Sequence, residues 1–376
     1  MFCAKLIAPM LTGPELTRFR RRLLAWFAQF QRELPWRRSK DPYRIWLSEI
    51  MLQQTRVAAA VPYYELFLER FPDVQALAEA PTEEVLRQWS GLGYYLRARN
   101  LQKAAQQVVA LHHGVFPATE AEALALPGIG KYTAAAILSI AHGQKLAVLD
   151  GNVARVLSRL QAVRGDLRAG KRWQGLQKAA SALLARNAPG DWNQAMMELG
   201  AILCTPKSPQ CLLCPVNEFC QARKLGLADT IPEKRKKRAT VELQLAAAVL
   251  LDAQGCTLLL PPPKAKASPG HRADAGAIVS RLWHFPTVEV RRNAALDLRD
   301  YLQESLLEGR RFSVTFEPLR KVRHAVTYRS ITLQPLRINL KKLPRLSGAK
   351  VLALADLSSV PISNLTRKIA RAALES

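Results

Sequence analysis

The chain has 376 residues, and 55 Lys and Arg against 30 Asp and Glu give a formal net charge of +25. That length exceeds what one ordinary core organises, so two domains are expected; 49% apolar and 23% charged residues exclude a fibre or a largely disordered chain. The positive excess points to a polyanion such as nucleic acid. No apolar run reaches the roughly 18 residues of a spanning helix, so no membrane is expected, and Met1 to Thr12 are too short and poorly built for a signal peptide, which makes the cytoplasm the expected compartment.

From Leu16 to about Arg223 apolar residues recur at spacings of three and four between Pro and Gly breaks, which predicts an all-α domain over residues 1–230. A helix opening near Tyr43 carries Glu49 on a stripe with Trp46, Ile50 and Gln53. A carboxyl among apolar groups has its charged form disfavoured, which suits it to hand on a proton near neutrality. Further on, Gly91-Leu92-Gly93-Tyr94-Tyr95 forms a glycine turn ahead of Arg97 and Arg99, a mix of apolar, aromatic and basic groups that suits a loop distorting a duplex.

Leu126-Pro127-Gly128-Ile129-Gly130-Lys131 lies between two helical patterns and opens the second, Tyr132 to Ile140. Glycines at 128 and 130 let the backbone approach another molecule, and the free N–H groups of the following helix suit a phosphate oxygen. This is a helix-hairpin-helix signature; a tight turn between packed helices is the plainer reading. Asp150 precedes a helix over Asn152 to Leu160 and is placed to cap it.

Cys204, Cys211, Cys214 and Cys220 have six, two and five residues between them, a density that suits one metal centre. The spacing fits zinc and a cubane iron–sulfur cluster equally. Lys207, Arg223 and Lys224 beside it are free to meet phosphates. Residues 231–239, from Ile231 through Arg238, form a basic linker, and the pattern then changes. Strands are predicted over Val241 to Leu251, Thr257 to Leu260, Thr287 to Val290, Phe312 to Phe316 and Ser330 to Ile338, with helices near Leu296 to Leu307 and Leu365 to Leu374. Residues 240–376 therefore read as an α+β domain, with an extended loop from Pro261 to Gly270.

The run Trp46-Leu47-Ser48-Glu49-Ile50-Met51-Leu52-Gln53-Gln54-Thr55, the two glycine turns, Leu149-Asp150-Gly151-Asn152-Val153 and the four cysteines together resemble the A/G-specific adenine DNA glycosylases, the MutY family. The resemblance implies a multidomain protein: an all-α helix-hairpin-helix glycosylase domain with an iron–sulfur loop, then an α+β Nudix-like domain. It implies one four-iron four-sulfur cluster on Cys204, Cys211, Cys214 and Cys220. The implied substrate is double-stranded DNA with adenine opposite 8-oxoguanine or guanine, bound by a monomer that leaves an abasic site. Glu49 is implied to protonate the adenine ring and then activate water, and Asp150 to stabilise the positive sugar, with Tyr132 and Asn152 as hydrogen-bond partners. The family's pocket and intercalation positions fall on Arg32, Leu34, Trp36, Gln54, Leu92, Tyr94 and Gln194, and its backbone contacts on Gly128, Gly130 and Lys131.

Endonuclease III-like enzymes share these features but carry a nucleophilic lysine directly after the hairpin's basic residue. Here Lys131 is followed by Tyr132, and a lysine one position away points about 100° elsewhere on a helix, so a monofunctional enzyme is expected. Leu282-Trp283-His284-Phe285-Pro286, Arg323-His324 and the segment from Pro361 to Ile369 resemble the family's lesion-reading domain, without the glutamate box of a pyrophosphatase. Where many members have Phe-Ser-His, this chain has Val326-Thr327-Tyr328, so Thr327 is the expected reader of 8-oxoguanine. The rivals are a bifunctional pyrimidine glycosylase with lyase activity and a non-catalytic iron–sulfur DNA-binding protein.

Overall fold

The computed structural model describes residues 11–233, 239–262, 282–306 and 314–375. Most of the basic linker's charge run, most of the Pro261–Gly270 loop and the start of the Phe312–Phe316 segment lie outside them. The chain forms two compact units, Met1–Glu79 with Asn100–Lys236 and Ala80–Arg99 with Lys237–Ser376.

The first unit is helical. Its elements include α1 (Gly13–Phe30), α2 (Pro42–Leu52), α3 (Val57–Arg70) and α4 (Val74–Glu79). Past residues 80–99, which hold α5 (Thr82–Gln88) and the start of α6 (Leu96–His112), come α7 (Glu120–Ala125), α8 (Lys131–His142), α9 (Gly151–Leu160), α10 (Gly170–Leu183), α11 (Pro189–Ile202) and the single turn α12 (Gln221–Lys224). Phe19, Leu23 and Phe27 recur at four-residue spacing along α1 and pack with Val153, Leu157, Trp192, Met196 and Phe219 in one core. Phe19 meets Trp192 and Phe219 at ring distances of 5.7 and 5.4 Å. That core is continuous with Cys204, Cys214 and Cys220, so the cysteine loop is part of the packing. Among the described residues no helix is long and apolar enough to cross a membrane.

The second unit is built on a sheet in which β6 (Arg329–Asn339) runs parallel to β1 (Val241–Leu251) over eleven residue pairs, from Val241–Arg329 to Leu251–Asn339. On β1, Leu245, Ala247 and Val249 enter one core and Ala246, Ala248 and Leu250 the other. A strand alternates its side chains between faces, so a run apolar at every position is what burial on both sides demands. One core is closed by α14 (Asn364–Leu374) through Leu365, Ile369 and Ala373, and the other by α13 (Ala294–Tyr301) through Leu298 and Tyr301.

The strands β2 (Cys256–Leu259), β3 (Thr287–Glu289), β4 (Glu317–Pro318), β5 (Val322–Val326) and β7 (Lys350–Ala353) extend that sheet. β5 and β7 were not expected. The strand expected at Phe312 to Phe316 is absent over Val314 to Phe316, where the chain is irregular, and the ladder begins at Glu317. Its apolar residues serve another purpose: Val314 and Phe316 pack on the α13 core from outside the sheet.

Candidate active site

Helix α2 begins at Pro42 behind Asp41, whose side chain accepts the Arg44 N–H at 3.0 Å, and Ile45 through Met51 are all buried. Glu49 is the buried charged residue of that run, only 7% exposed, and its Oε2 meets no hydrogen-bond partner. Burial pushes its carboxyl up to about 7; the charge of Asp150 adds to the rise, and the Tyr132 hydroxyl opposes it. Tyr132, at the start of α8, is itself held well above the ordinary phenol range by burial, and its hydroxyl donates to Met197 Sδ at 3.2 Å.

Asp150 caps α9: its Oδ1 accepts the Val153 N–H at 2.7 Å and its Oδ2 accepts from Asn152 Nδ2 at 3.1 Å. Burial raises this carboxyl too, while the two α9 amides, the Asn152 side chain and Arg155 favour its charged form. Both roles foreseen for Asp150 are therefore open to it, since capping leaves the carboxylate on the cavity wall. Asn152 is fixed in turn by Arg155, whose Nη2 donates to Asn152 Oδ1 at 2.9 Å and to the Gly200 carbonyl at 2.8 Å, and whose Nε donates to the Cys204 carbonyl at 2.8 Å.

A single cavity of about 620 Å³ brings together Glu49, Asp150, Tyr132, Asn152, Arg32, Leu34, Trp36, Gln54 and Gln194. Such a volume is that of a small-molecule site. The sequence reading missed Arg37, Ser48, Met197 and Glu198 on the same wall. Glu198, 1% exposed, accepts Arg32 Nε and Nη2 at 2.7 Å each, the Arg32 backbone N–H at 3.0 Å and Arg37 Nη2 at 2.9 Å. Those bonds outweigh its desolvation and hold its carboxyl down at about 2. The cavity thus pairs one carboxylate locked in its charged form with one carboxyl poised near neutrality. The local sequence marks Glu198 only faintly, as a charge after Ala195-Met196-Met197 on a helix that also carries Asn193 and Gln194.

The hairpin joins α7 to α8. Gly128 adopts φ +80°, and a Cβ there would lie 2.9 Å from Asn100 Cβ, so the position requires glycine. Around Gly130 a Cβ would meet nothing within 4 Å, and no side chain caps α8, which leaves its first amides and exposed Lys131 open to a guest. Leu92 and Tyr94 lie in the other unit, as does Thr327, at the tip of the β5–β6 hairpin with its hydroxyl donating to the Val326 carbonyl at 2.7 Å. Gln54, Tyr94 and Thr327 all hold positive φ, at 60°, 50° and 54°. Strain of this kind in non-glycine residues collects at binding sites.

Cys204, Cys211, Cys214 and Cys220 ring a second, smaller cavity with Arg159. Among the described residues no three His, Cys, Asp or Glu side chains converge as on a single ion. The four thiols line one space, a donor set that fits a cluster held by four thiolates. Burial pushes the Cys214 thiol up to about 12 and raises Cys211 and Cys220, and neighbouring cysteines add to each shift. Four thiolates there need cationic compensation, which iron would provide. Arg159, 2% exposed, donates to Cys204 Sγ at 3.2 Å, and its buried Nη2 has no partner, as a group awaiting an acceptor would be.

Residues 47–181 match the family model described as HhH-GPD superfamily base excision DNA repair protein, and residues 204–220 match that of the iron–sulfur binding domain of endonuclease III. The chain is similar to the human adenine DNA glycosylase, 48% identical over 220 residues covering 56% of this chain and 40% of that protein. It is similar to the mouse adenine DNA glycosylase at 34% identity over 403 residues, covering 95% of this chain and 78% of that protein. Among solved structures it is similar to a thermostable thymine-DNA glycosylase, with TM-score 0.50, 28% identity, and coverage of 56% of this chain and all but 3% of that one (97%). The chain thus spans less than half the length of the human relative.

Proposed function

Because the chain belongs to the adenine DNA glycosylase family, we propose that it excises adenine opposite 8-oxoguanine or guanine in duplex DNA by hydrolysing the N-glycosidic bond. The observation that carries the reading is the pairing of Glu49, at about 7 and lacking a partner on Oε2, with capped Asp150 in one cavity.

An adenine inside the duplex must first be extruded, at a cost of a few kcal/mol. Glu49 in its acid form gives its proton to a ring nitrogen of the everted adenine, so the C1′–N9 bond breaks with its electron pair leaving on a neutral base. Positive charge then develops on the sugar, and the Asp150 carboxylate stabilises it. Glu49, now ionised, takes a proton from the water whose oxygen bonds to C1′, which restores the acid and leaves an abasic site. Tyr132 and Asn152 hold the two carboxyl groups in place, and Arg32 and Arg37 on Glu198 form the polar end of the base pocket. No amine stands at position 132, so no covalent sugar adduct forms and the strand stays whole. The four cysteines would hold a four-iron four-sulfur cluster, whose charge neutralises the buried thiolates and fixes their loop. Thr327, on its hairpin tip, reads the opposite base, and residues 240–376 serve as a Nudix-like recognition domain.

The test is a panel of duplexes with adenine opposite 8-oxoguanine, guanine or thymine. Release of adenine from the first two, with strand scission only after hot alkali, is the expected outcome. Nicking without alkali, or indifference to adenine, returns the bifunctional pyrimidine enzyme, and binding without release returns the non-catalytic protein.

A further inference from the structure

The turn from Ser90 to Tyr95 is held in a way its sequence does not announce. Four consecutive carbonyl oxygens each accept a side-chain donor: Ser90 from Arg367 Nη2 at 3.0 Å, Gly91 from Asn364 Nδ2 at 3.0 Å, Leu92 from Arg97 Nη2 at 3.5 Å, and Gly93 from Trp89 Nε1 and Arg97 Nη2 at 3.2 Å. The Ser90 hydroxyl, buried, donates to the Ile362 carbonyl at 2.6 Å and accepts Arg367 Nη2 at 2.8 Å; the Tyr95 hydroxyl donates to the same carbonyl at 3.4 Å and accepts the Gly91 N–H at 3.2 Å. Arg97 lies under the turn, 5.3 Å from the Trp89 ring and 5.5 Å from that of Tyr94.

Two of these donors come from the first turn of α14, nearly three hundred residues away along the chain. That turn is itself fixed, since the Ser363 hydroxyl caps α14 by accepting the Thr366 N–H at 3.1 Å. The backbone being held uses positive φ at Gly91 and Gly93, 115° and 73°, which glycine takes freely, and at Tyr94, 50°, which a side chain disfavours, and Tyr94 remains 43% exposed. A loop whose backbone is already held by these hydrogen bonds loses less conformational entropy when its exposed aromatic ring meets a ligand.

We propose that Asn364 and Arg367 are positioning residues for DNA binding: the C-terminal helix clamps the Ser90–Tyr95 turn so that Leu92 and Tyr94 are preset for the distorted duplex. The proposal rests on the functional reading above, and it assigns α14 a part in duplex distortion separate from reading the opposite base. It needs no contact between α14 and DNA.

Two measurements on the full chain test it. Hydrogen exchange of the DNA-free protein over residues 89–96 reads the clamp directly; Arg367→Ala and Asn364→Ala should speed exchange there while leaving α2 and α9 unchanged. Affinity for a duplex carrying 2-aminopurine opposite guanine, with the fluorescence gain on base extrusion, reads its consequence; each alanine variant should bind on the order of tenfold more weakly with a smaller gain. Arg367→Lys, which keeps one donor, should fall between. Adenine release at saturating duplex should slow in proportion to the lost extrusion gain and no further, since the clamp acts before the chemical step. Unchanged exchange, or faster exchange with wild-type affinity and extrusion, overturns the proposal. Should wild-type protein leave adenine in place, the functional reading falls, and the exchange comparison still decides whether the clamp exists.

Discussion

Moving Glu49 from water to the cavity wall raises its carboxyl from 4.5 to about 7, with burial as the main cause. The ionised form is therefore penalised in the folded state, and the sign follows: stability is highest below pH 4.5 and is lost as pH rises to 7, by about 3 kcal/mol. Glu49→Gln, which cannot ionise, should raise stability at pH 8 by up to that amount and leave it unchanged at pH 4; denaturant midpoints at the two pH values check it. Glu198 behaves oppositely. Its carboxyl is depressed to about 2 by the Arg32 and Arg37 bonds, so its contribution is present above pH 4.5 and lost as pH falls toward 2. Glu198→Ala removes the acceptor of two half-buried guanidinium groups, which water can partly screen, and should cost about 1 to 3 kcal/mol at pH 7, seen as a lowered urea midpoint. The burial of Glu49 and the capping by Asp150 were legible because each sits in a motif with local meaning, a polar residue on an apolar stripe and a cap before a helix. Glu198 was not, because its partners lie 161 and 166 residues away in sequence and only the fold brings them to it.

At the scale of elements, α9 meets α11 at a contact that ties the two ends of the site together. A Cβ on Gly200 of α11 would lie 2.8 Å from Asn152 Cβ and 3.2 Å from its backbone, which has no room to retreat. Gly200→Ala should push Asn152 off Asp150, slow adenine release on the order of tenfold and destabilise the protein by about 1 to 3 kcal/mol; single-turnover rates and thermal melts measure both. No motif marks that glycine, since close approach of two helices is a tertiary fact. The strands divide in the same way. β1, β6 and α14 were readable to within a residue or so because long apolar runs and a strong helical stripe need no outside help. β5 and β7 were invisible because they are short, only partly buried and without a polar-out alternation, with Arg323 and Ala325 outward on one and Val351 and Ala353 on the other, so pairing partners rather than their own composition make them strands. The four-carbonyl grip on the Ser90–Tyr95 turn was equally hidden, since half of it arrives from α14.

The whole molecule carries +25, and that excess should dominate its affinity for undamaged duplex. The logarithm of that affinity should fall linearly with the logarithm of salt concentration, with a slope near −0.9 per phosphate contact, and a flat response in a salt titration would remove the polyanion reading. Composition alone gave this much, and it gave nothing about chemistry. In the mechanism we propose, the chemistry turns on one proton held at position 49 and a carboxylate at position 150 on the same cavity wall. The pH dependence of single-turnover adenine release opposite 8-oxoguanine, in wild-type protein and in Glu49→Gln, tests that most directly. The account predicts a rate that falls tenfold per unit as pH rises beyond about 7 and an inert glutamine variant that still binds the duplex. A rate that is flat through pH 7 to 9, or a glutamine variant that turns over normally, would contradict it.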